Sequence, residues 1–421
     1  MALHQVKVVV DDLQVGMYVA ALDRPWVETP FPLQGFFIAG PVDVESLRPW
    51  CRHVYVDVER GTAPRPRAPS SGPRAAPLKI HRNAYPARTT LRRELGKAAD
   101  IPSQMDSTLR QAWAELRRGR RTDLRATRRL VRTMVASVVR NPDALTWLAQ
   151  LRRRDDYSYN HSLRAGIWST VFGRHLGLAV PALESLALGT VLGDVGMLRL
   201  GPELHRHADA AELQQHVNFS LAMVQQCGAV DELATAVVAT HHERFDGSGY
   251  PRGLQGDAIP YLGRIAAIAV HYDELINPPD APRAVTPAEA MSTLYGERGR
   301  AFQAEVVDEF IQALGIYPAG TLVELTSREV GVVVEQNPQR RLRPKVLLLT
   351  DAEHRLLRRR RTCDLAQLAE RRGVDTAIAR SLPQGWGGLD PLALCREAGV
   401  SRWCRWPLGA AGRASMPDTV A

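Results

Sequence analysis

His241 and His242 stand side by side, Glu243 follows at once, and the run continues Arg244-Phe245-Asp246-Gly247-Ser248-Gly249-Tyr250-Pro251. Two adjacent imidazoles are ligand chemistry for a divalent ion of the iron or manganese kind, which accepts mixed nitrogen and oxygen donors. The two glycines and the proline let the chain turn sharply after the ligands and bring its backbone close to a neighbour. A lone histidine is more often a surface or hydrogen-bonded core residue. On that ground His175, His205 and His207 are given no role.

The elements that must position this run are read from the rest of the chain. At 421 residues and 45% hydrophobic content the protein is large enough for two or three units with a real core. The net charge of +9 comes mostly from arginine and is unevenly spread. Cys51, Cys227, Cys363, Cys395 and Cys404 are odd in number and show no CxxC spacing, so they read as reduced thiols rather than a disulfide framework or a zinc site. No basic region followed by an apolar core opens the chain, which argues against a signal peptide. No stretch approaches about 18 consecutive apolar residues, which argues against a membrane span. The cytoplasm is the expected location.

Residues 1–60 form a small β-rich unit with short runs at Lys7–Val10, Met17–Ala20, Gly35–Ile38 and His53–Val58. Residues 61–90 turn to Pro, Ala, Arg and Ser and are expected to be a flexible linker. Residues 91–154 are helical and basic. Arg117, Arg118, Arg120, Arg121, Arg125, Arg128, Arg129 and Arg132 lie opposite Leu124, Leu130, Val131, Met134, Val135 and Val138, with Thr122 or Asp123 as N-cap. That face reads either as a landing site for phosphates or an acidic partner, or as a solvated side of a connecting helix; charge runs match loosely, so the second reading is preferred. Residues 155–320 are helical with short loops. Leu322–Val334 and Lys345–Leu349 read as two strands of a hairpin extension over 321–352, and residues 353–421 as a tail without a motif.

From His161 to Asp273 the sequence resembles the HD-GYP domain, a subgroup of the HD phosphohydrolases that hydrolyse the bacterial second messenger cyclic di-GMP. The text VGMYV and PFPLQGFFI is similar to a domain of unknown function that often precedes it, and TLVELTSREVGVVV to the strand pair that often follows. The resemblance implies a fold that is mainly α, an all-helical HD-type phosphohydrolase bundle between a small β-rich N-terminal domain and a short C-terminal β extension. It implies metal ligands at His161, Asp194, His216, His241 and His242, with Asp194 also the catalytic residue. Such ions hold a hydroxide and neutralise the phosphoryl oxygens during phosphodiester hydrolysis.

The departures are as specific as the matches. The His-Asp pair falls on Gly193-Asp194, the lysine of that motif on Met197, and the final ligand, expected in Ala-Asp-x-Tyr-Asp, on Val270 of Ala269-Val270-His271-Tyr272-Asp273. His271 is the next helical position and should point about 100° away. An acidic ligand that some HD-GYP proteins carry one turn before the first histidine is Tyr157. Of the cationic substrate contacts only Arg283 remains nearby, while the loop Asp246, Gly247, Gly249, Tyr250 and Pro251 is complete; in the family it is thought to meet GGDEF-type diguanylate cyclases. The resemblance therefore predicts a protein of cyclic di-GMP signalling that holds a single iron or manganese ion or none. It acts by binding cyclic di-GMP or a GGDEF-type partner with weak or no hydrolysis. The alternative is an active metal-dependent phosphodiesterase producing pGpG or GMP. Nucleic-acid binding through the arginine helix is disfavoured by 6% aromatic content without an aromatic-basic platform.

Overall fold

A computed structural model describes residues 5–24, 29, 35–38, 41–57, 84–118, 122–151, 157–200, 210–227, 230–278, 285–337, 340, 342–372 and 376–389. Arg120, Arg121, Arg283, Trp403, Trp406 and most of the expected linker lie outside them.

Near the N-terminus, β1 (Gln5–Val9), β2 (Tyr18–Leu22), β3 (Phe36–Phe37) and β4 (His53–Asp57) form an antiparallel sheet in the order β1-β4-β2-β3. Alternate residues of β4 are buried, as a strand with one wet face requires. Val8, Val19, Leu22, Val54, Val56 and Leu47 make a core of their own, closed by the Pro41–Leu47 helix. This unit is tied to the helical body at two points. Tyr295 donates its hydroxyl proton to Leu22 O, and Arg298, paired with Asp308 at 2.7 Å, donates to the Tyr55 hydroxyl at 3.1 Å.

The body is a helical bundle. In the Arg125–Arg140 helix Val131, Met134, Val135 and Val138 are buried, while Arg125 pairs with Asp123 and Arg132 with Glu184 at the surface. Arg125, Arg129 and Arg132 of the arginine face are exposed. The N-cap is Leu124 rather than Thr122 or Asp123, and Asp123 just before it accepts the Arg125 N–H at 2.9 Å. The centre is built by the helices Tyr157–His175, Val180–Leu192 and Tyr261–Ile276, which pack face to face. Val180–Leu192 is apolar nearly all round and buried from Leu183 to Leu192 apart from Glu184, the pattern of a helix enclosed by others. Among the described residues, Val180–Leu200 alone is long and apolar enough to cross a membrane, and 72% of its most apolar window is buried inside the protein. Trp168, Tyr272, Phe172 and Phe310 meet edge to face at 5.2–5.7 Å and fill the middle.

The C-terminal extension is larger than a hairpin. β5 (Leu322–Leu325), β6 (Val330–Glu335), β7 (Lys345–Thr350), β8 (Leu356–Asp364) and β9 (Ile378–Leu382) form one antiparallel sheet in the order β8-β7-β6-β5-β9. Two corrections follow. The run Leu322–Val334 is two strands, because Arg328 takes a left-handed turn (φ 66°) that neither Gly nor Pro advertises. Both edge strands come from the segment read as tail. Alternation divides the sheet: Leu322, Val332, Leu347 and Leu349 join the bundle core, while Val323, Val333, Val346 and Leu348 pack beneath the Leu365–Arg372 helix.

Candidate metal centre

The site begins with one buried carboxylate. Asp273, fully enclosed on the Tyr261–Ile276 helix, accepts from Arg164 Nε at 2.8 Å, Arg164 Nη2 at 2.9 Å, Trp168 Nε1 at 3.0 Å and Asn277 Nδ2 at 3.1 Å. Its Oδ2 also lies 2.8 Å from His161 Nδ1. His161, Arg164 and Trp168 recur at helical spacing, so one face of the Tyr157–His175 helix converges on this group. Burial alone would raise the Asp273 pKa, but the Arg164 guanidinium and the His161 contact hold it down at about 2. With Nδ1 so engaged, His161 presents Nε2 to Asp194 Oδ2 at 3.4 Å. Burial opposes a charge on His161, yet Asp273 and Asp194 push its pKa up to about 9.

Asp194 sits in the turn that ends the Val180–Leu192 helix. His216 opens the His216–Cys227 helix, after a break at Gln215 that separates it from Ala210–Gln214. The two elements touch closely: a Cβ on Gly196 would lie 2.1 Å from His216 O, and Gly196 N donates to Ser220 Oγ. His241 and His242 follow the Glu232–Thr240 helix, whose N-cap Asp231 accepts from Ala234 N. Around Asp194 Oδ1 stand His216 Nε2 at 3.2 Å, His241 Nε2 at 3.6 Å and His242 Nε2 at 3.9 Å. The four donor atoms lie within 4.8 Å of one another and all four residues are buried.

The donors fit a metal ion on three grounds. Ligands bound at about 2.1 Å stand about 3 to 3.4 Å apart, close to these spacings. His216 Nδ1 and His241 Nδ1 face the carbonyls of Leu213 and Val238 at 2.7 and 2.8 Å, which leaves each Nε2 with a free lone pair. Those two Nε2 atoms are buried without a hydrogen-bond partner. Burial and the neighbouring His241 depress the His242 pKa to about 3, so this ring is neutral and able to ligate. Burial works against the Asp194 charge, but contacts from three imidazoles hold its pKa well below the usual carboxylate range.

Two positions that the family resemblance assigns to metal ligands carry no donor side chain. Val270 is buried hydrocarbon, and Gly193 contributes no side chain. The His241 ring fills that space, with Cε1 3.2 Å from where a Cβ on Gly193 would sit. His271 points elsewhere, its Nε2 lying 3.0 Å from Glu297 Oε2.

The loop that follows is part of the centre. Glu243, buried, accepts from Arg252 N and Leu254 N, both at 2.9 Å, and so pins the far side of the loop. Gly249 must be glycine: a Cβ there would come within 2.2 Å of Arg244 N and 2.5 Å of His242 O. Gly247 takes φ +82°, and Asp246 Oδ1 accepts from Ser248 N and Oγ. Tyr250, joined to Pro251 by a cis bond, stacks on His242 at 4.7 Å with 20° between ring planes. Sequence reasoning assigned no role to Asp273 and Glu243. The only signals were the helical spacing of His161, Arg164 and Trp168, and an acid directly after the histidine pair.

These features coincide with known families. The model of the HD domain matches residues 143–306, a domain of unknown function, DUF3391, matches residues 5–127, and a KOW domain associated with HD domains matches residues 322–371. The chain thus carries an HD domain, with a DUF3391 match ahead of it and a KOW match after it. It is 29% identical over 397 residues to a cyclic di-GMP phosphodiesterase of Pseudomonas aeruginosa, covering 91% of this chain and 96% of that one. It is 31% identical to a 3'3'-cGAMP-specific phosphodiesterase of Vibrio cholerae over 36% of this chain and 30% of that one. Among solved structures, a HDG"Y"P protein from Bdellovibrio bacteriovorus aligns over 73% of this chain and 98% of its own, at 16% identity and a TM-score of 0.44.

Proposed function

We propose that the protein binds cyclic di-GMP at a centre holding one divalent ion, iron or manganese, and turns it over weakly or not at all. The observation that carries this reading is the enclosed quartet of Asp194, His216, His241 and His242 beside the empty positions Gly193 and Val270. The quartet would hold the ion, which when bound supplies positive charge to a phosphate oxygen and polarises water. His161 and Asp273 orient Asp194 from behind, and Tyr250 shields the open face of His242. Exposed Asp246, Ser248 and Arg252 leave the outer edge of the loop free for a GGDEF-type partner. A reducing, cytoplasmic setting belongs to the proposal; the described Cys51, Cys227 and Cys363 are unpaired.

A second reading, an active phosphodiesterase releasing pGpG or GMP, draws on the near full-length similarity to a phosphodiesterase. Anaerobic purification, metal counting and incubation with cyclic di-GMP and Mn²⁺ or Fe²⁺ separate the two. One ion per chain with nucleotide binding and little product is expected. Two ions per chain and steady pGpG production would overturn the single-ion reading. Binding unchanged by His242→Ala would remove any role for the metal.

A further inference from the structure

Val270 deprives the Tyr261–Ile276 helix of a carboxylate facing the centre, and Glu274 returns one from the next turn. Residues four apart share a helix face, and helical side chains lean toward the N-terminus, so the Glu274 carboxylate lies over the turn that contains Val270. Its Oε1 stands 3.9 Å from His242 Nδ1, on the side of the ring opposite the Nε2 that faces Asp194. Its Oε2 lies 3.4 Å from His271 Nδ1, and His271 Nε2 lies 3.0 Å from Glu297 Oε2. Arg244 Nη2 closes on the same His271 nitrogen at 3.4 Å. Glu274 is therefore met by His242 from the loop after Glu232–Thr240 and by His271 of its own helix, and His271 is held in turn by Glu297 from the turn after Pro287–Gly296.

The three ligand histidines make a pattern. His216 and His241 have Nδ1 fixed by backbone carbonyls, whereas His242 has a carboxylate there. A ligand histidine whose second nitrogen faces a carboxylate is fixed in ring orientation and tautomer and made a stronger donor. We propose that Glu274 is the positioning residue of the metal centre, orienting His242 through Nδ1 and supplying the negative charge that position 270 no longer carries. His271 and Glu297 hold it there. The role rests on the reading that Asp194, His216, His241 and His242 bind an ion.

The test uses the full-length, metal-free chain titrated with Mn²⁺ or Co²⁺ alone, without nucleotide. Affinity is read by calorimetry and coordination by the Co²⁺ absorption spectrum. Glu274→Gln keeps the shape of a side chain that is a third exposed, so the metal-free unfolding midpoint should match wild type. Its ion affinity should fall about 10- to 100-fold, with an altered Co²⁺ spectrum. His271→Gln should act in the same direction to a smaller extent. Val270→Asp placed in the Glu274→Gln background should recover affinity, which a purely structural role for Glu274 would not allow. Wild-type affinity and spectrum in Glu274→Gln overturn the proposal while leaving the metal site intact. A wild-type chain that takes up no ion overturns the site and, with it, this role.

Discussion

Asp273→Asn should cost the metal-free protein about 3 kcal/mol, although it removes no proposed metal ligand. The wild-type carboxylate takes both guanidinium contacts of Arg164, which is itself 3% exposed, along with Trp168, Asn277 and His161. Removing one partner of a buried ion pair leaves an uncompensated charge and costs roughly 3 to 5 kcal/mol. The ionisation of Asp273 gives a second estimate. A folded pKa of about 2, against roughly 3.9 in the unfolded chain, corresponds to about 2 to 3 kcal/mol at neutral pH. Because the pKa is depressed, this stabilisation is present above the unfolded value and is lost as pH falls through about 2. Urea unfolding followed by circular dichroism should show the midpoint falling at an unchanged slope, and a shallower acid limb in the variant. Adding Arg164→Gln should restore part of the loss, since the orphaned charge goes with it. A loss under about 1 kcal/mol, the range of a surface ion pair, would refute the assignment of Asp273 as the buried anchor of the site.

Gly249→Ala should push its loop outward, because the added methyl group would meet Arg244 N at 2.2 Å and His242 O at 2.5 Å; calorimetry should record weaker Mn²⁺ binding, with an overpacking cost of about 1 to 3 kcal/mol in unfolding experiments. Gly193→His should not build a second ion site on its own, since its Cβ would press within 3.2 Å of the His241 ring. Atomic emission should count no more metal per chain than in wild type, and affinity for the first ion should fall. Metal-free stability should decline as pH rises from about 6.5, the unfolded histidine value, through about 9, the raised folded pKa of His161. Protonation of His161 stabilises the fold fully below that window and not above it, so His161→Asn should flatten the slope seen in pH-resolved thermal melts.

The bundle, the N-terminal sheet and the histidine quartet were legible because each leaves a local mark. Strand alternation in His53–Asp57, the apolar run of Val180–Leu192 and the spacing of His161, Asp194 and the histidine pair are readable without tertiary context. The C-terminal sheet was only half legible. β8 reads Leu-Leu-Arg-Arg-Arg-Arg-Thr-Cys-Asp, and an edge strand wearing charge on its exposed face hides the hydrophobic pattern that would announce it. Glu274 was invisible as a participant for a different reason. Its partners His242 and His271, and the Glu297 that holds His271, come from three elements, and only packing shows that the helix turn after Val270 points a carboxylate back into the centre.

The intact Gly-Tyr-Pro loop looked in sequence like an interaction surface that outlived its catalytic site. Its inner face argues otherwise. Glu243, the residue after the ligand pair, spends both carboxylate oxygens on the loop backbone, and Tyr250 covers the His242 ring. The loop and the two histidines are therefore one packed unit. That packing accounts for the shape of the loop without a partner. Gly193 lies against the His241 ring and Val270 is buried hydrocarbon on the Tyr261–Ile276 helix, so neither position offers the centre a donor.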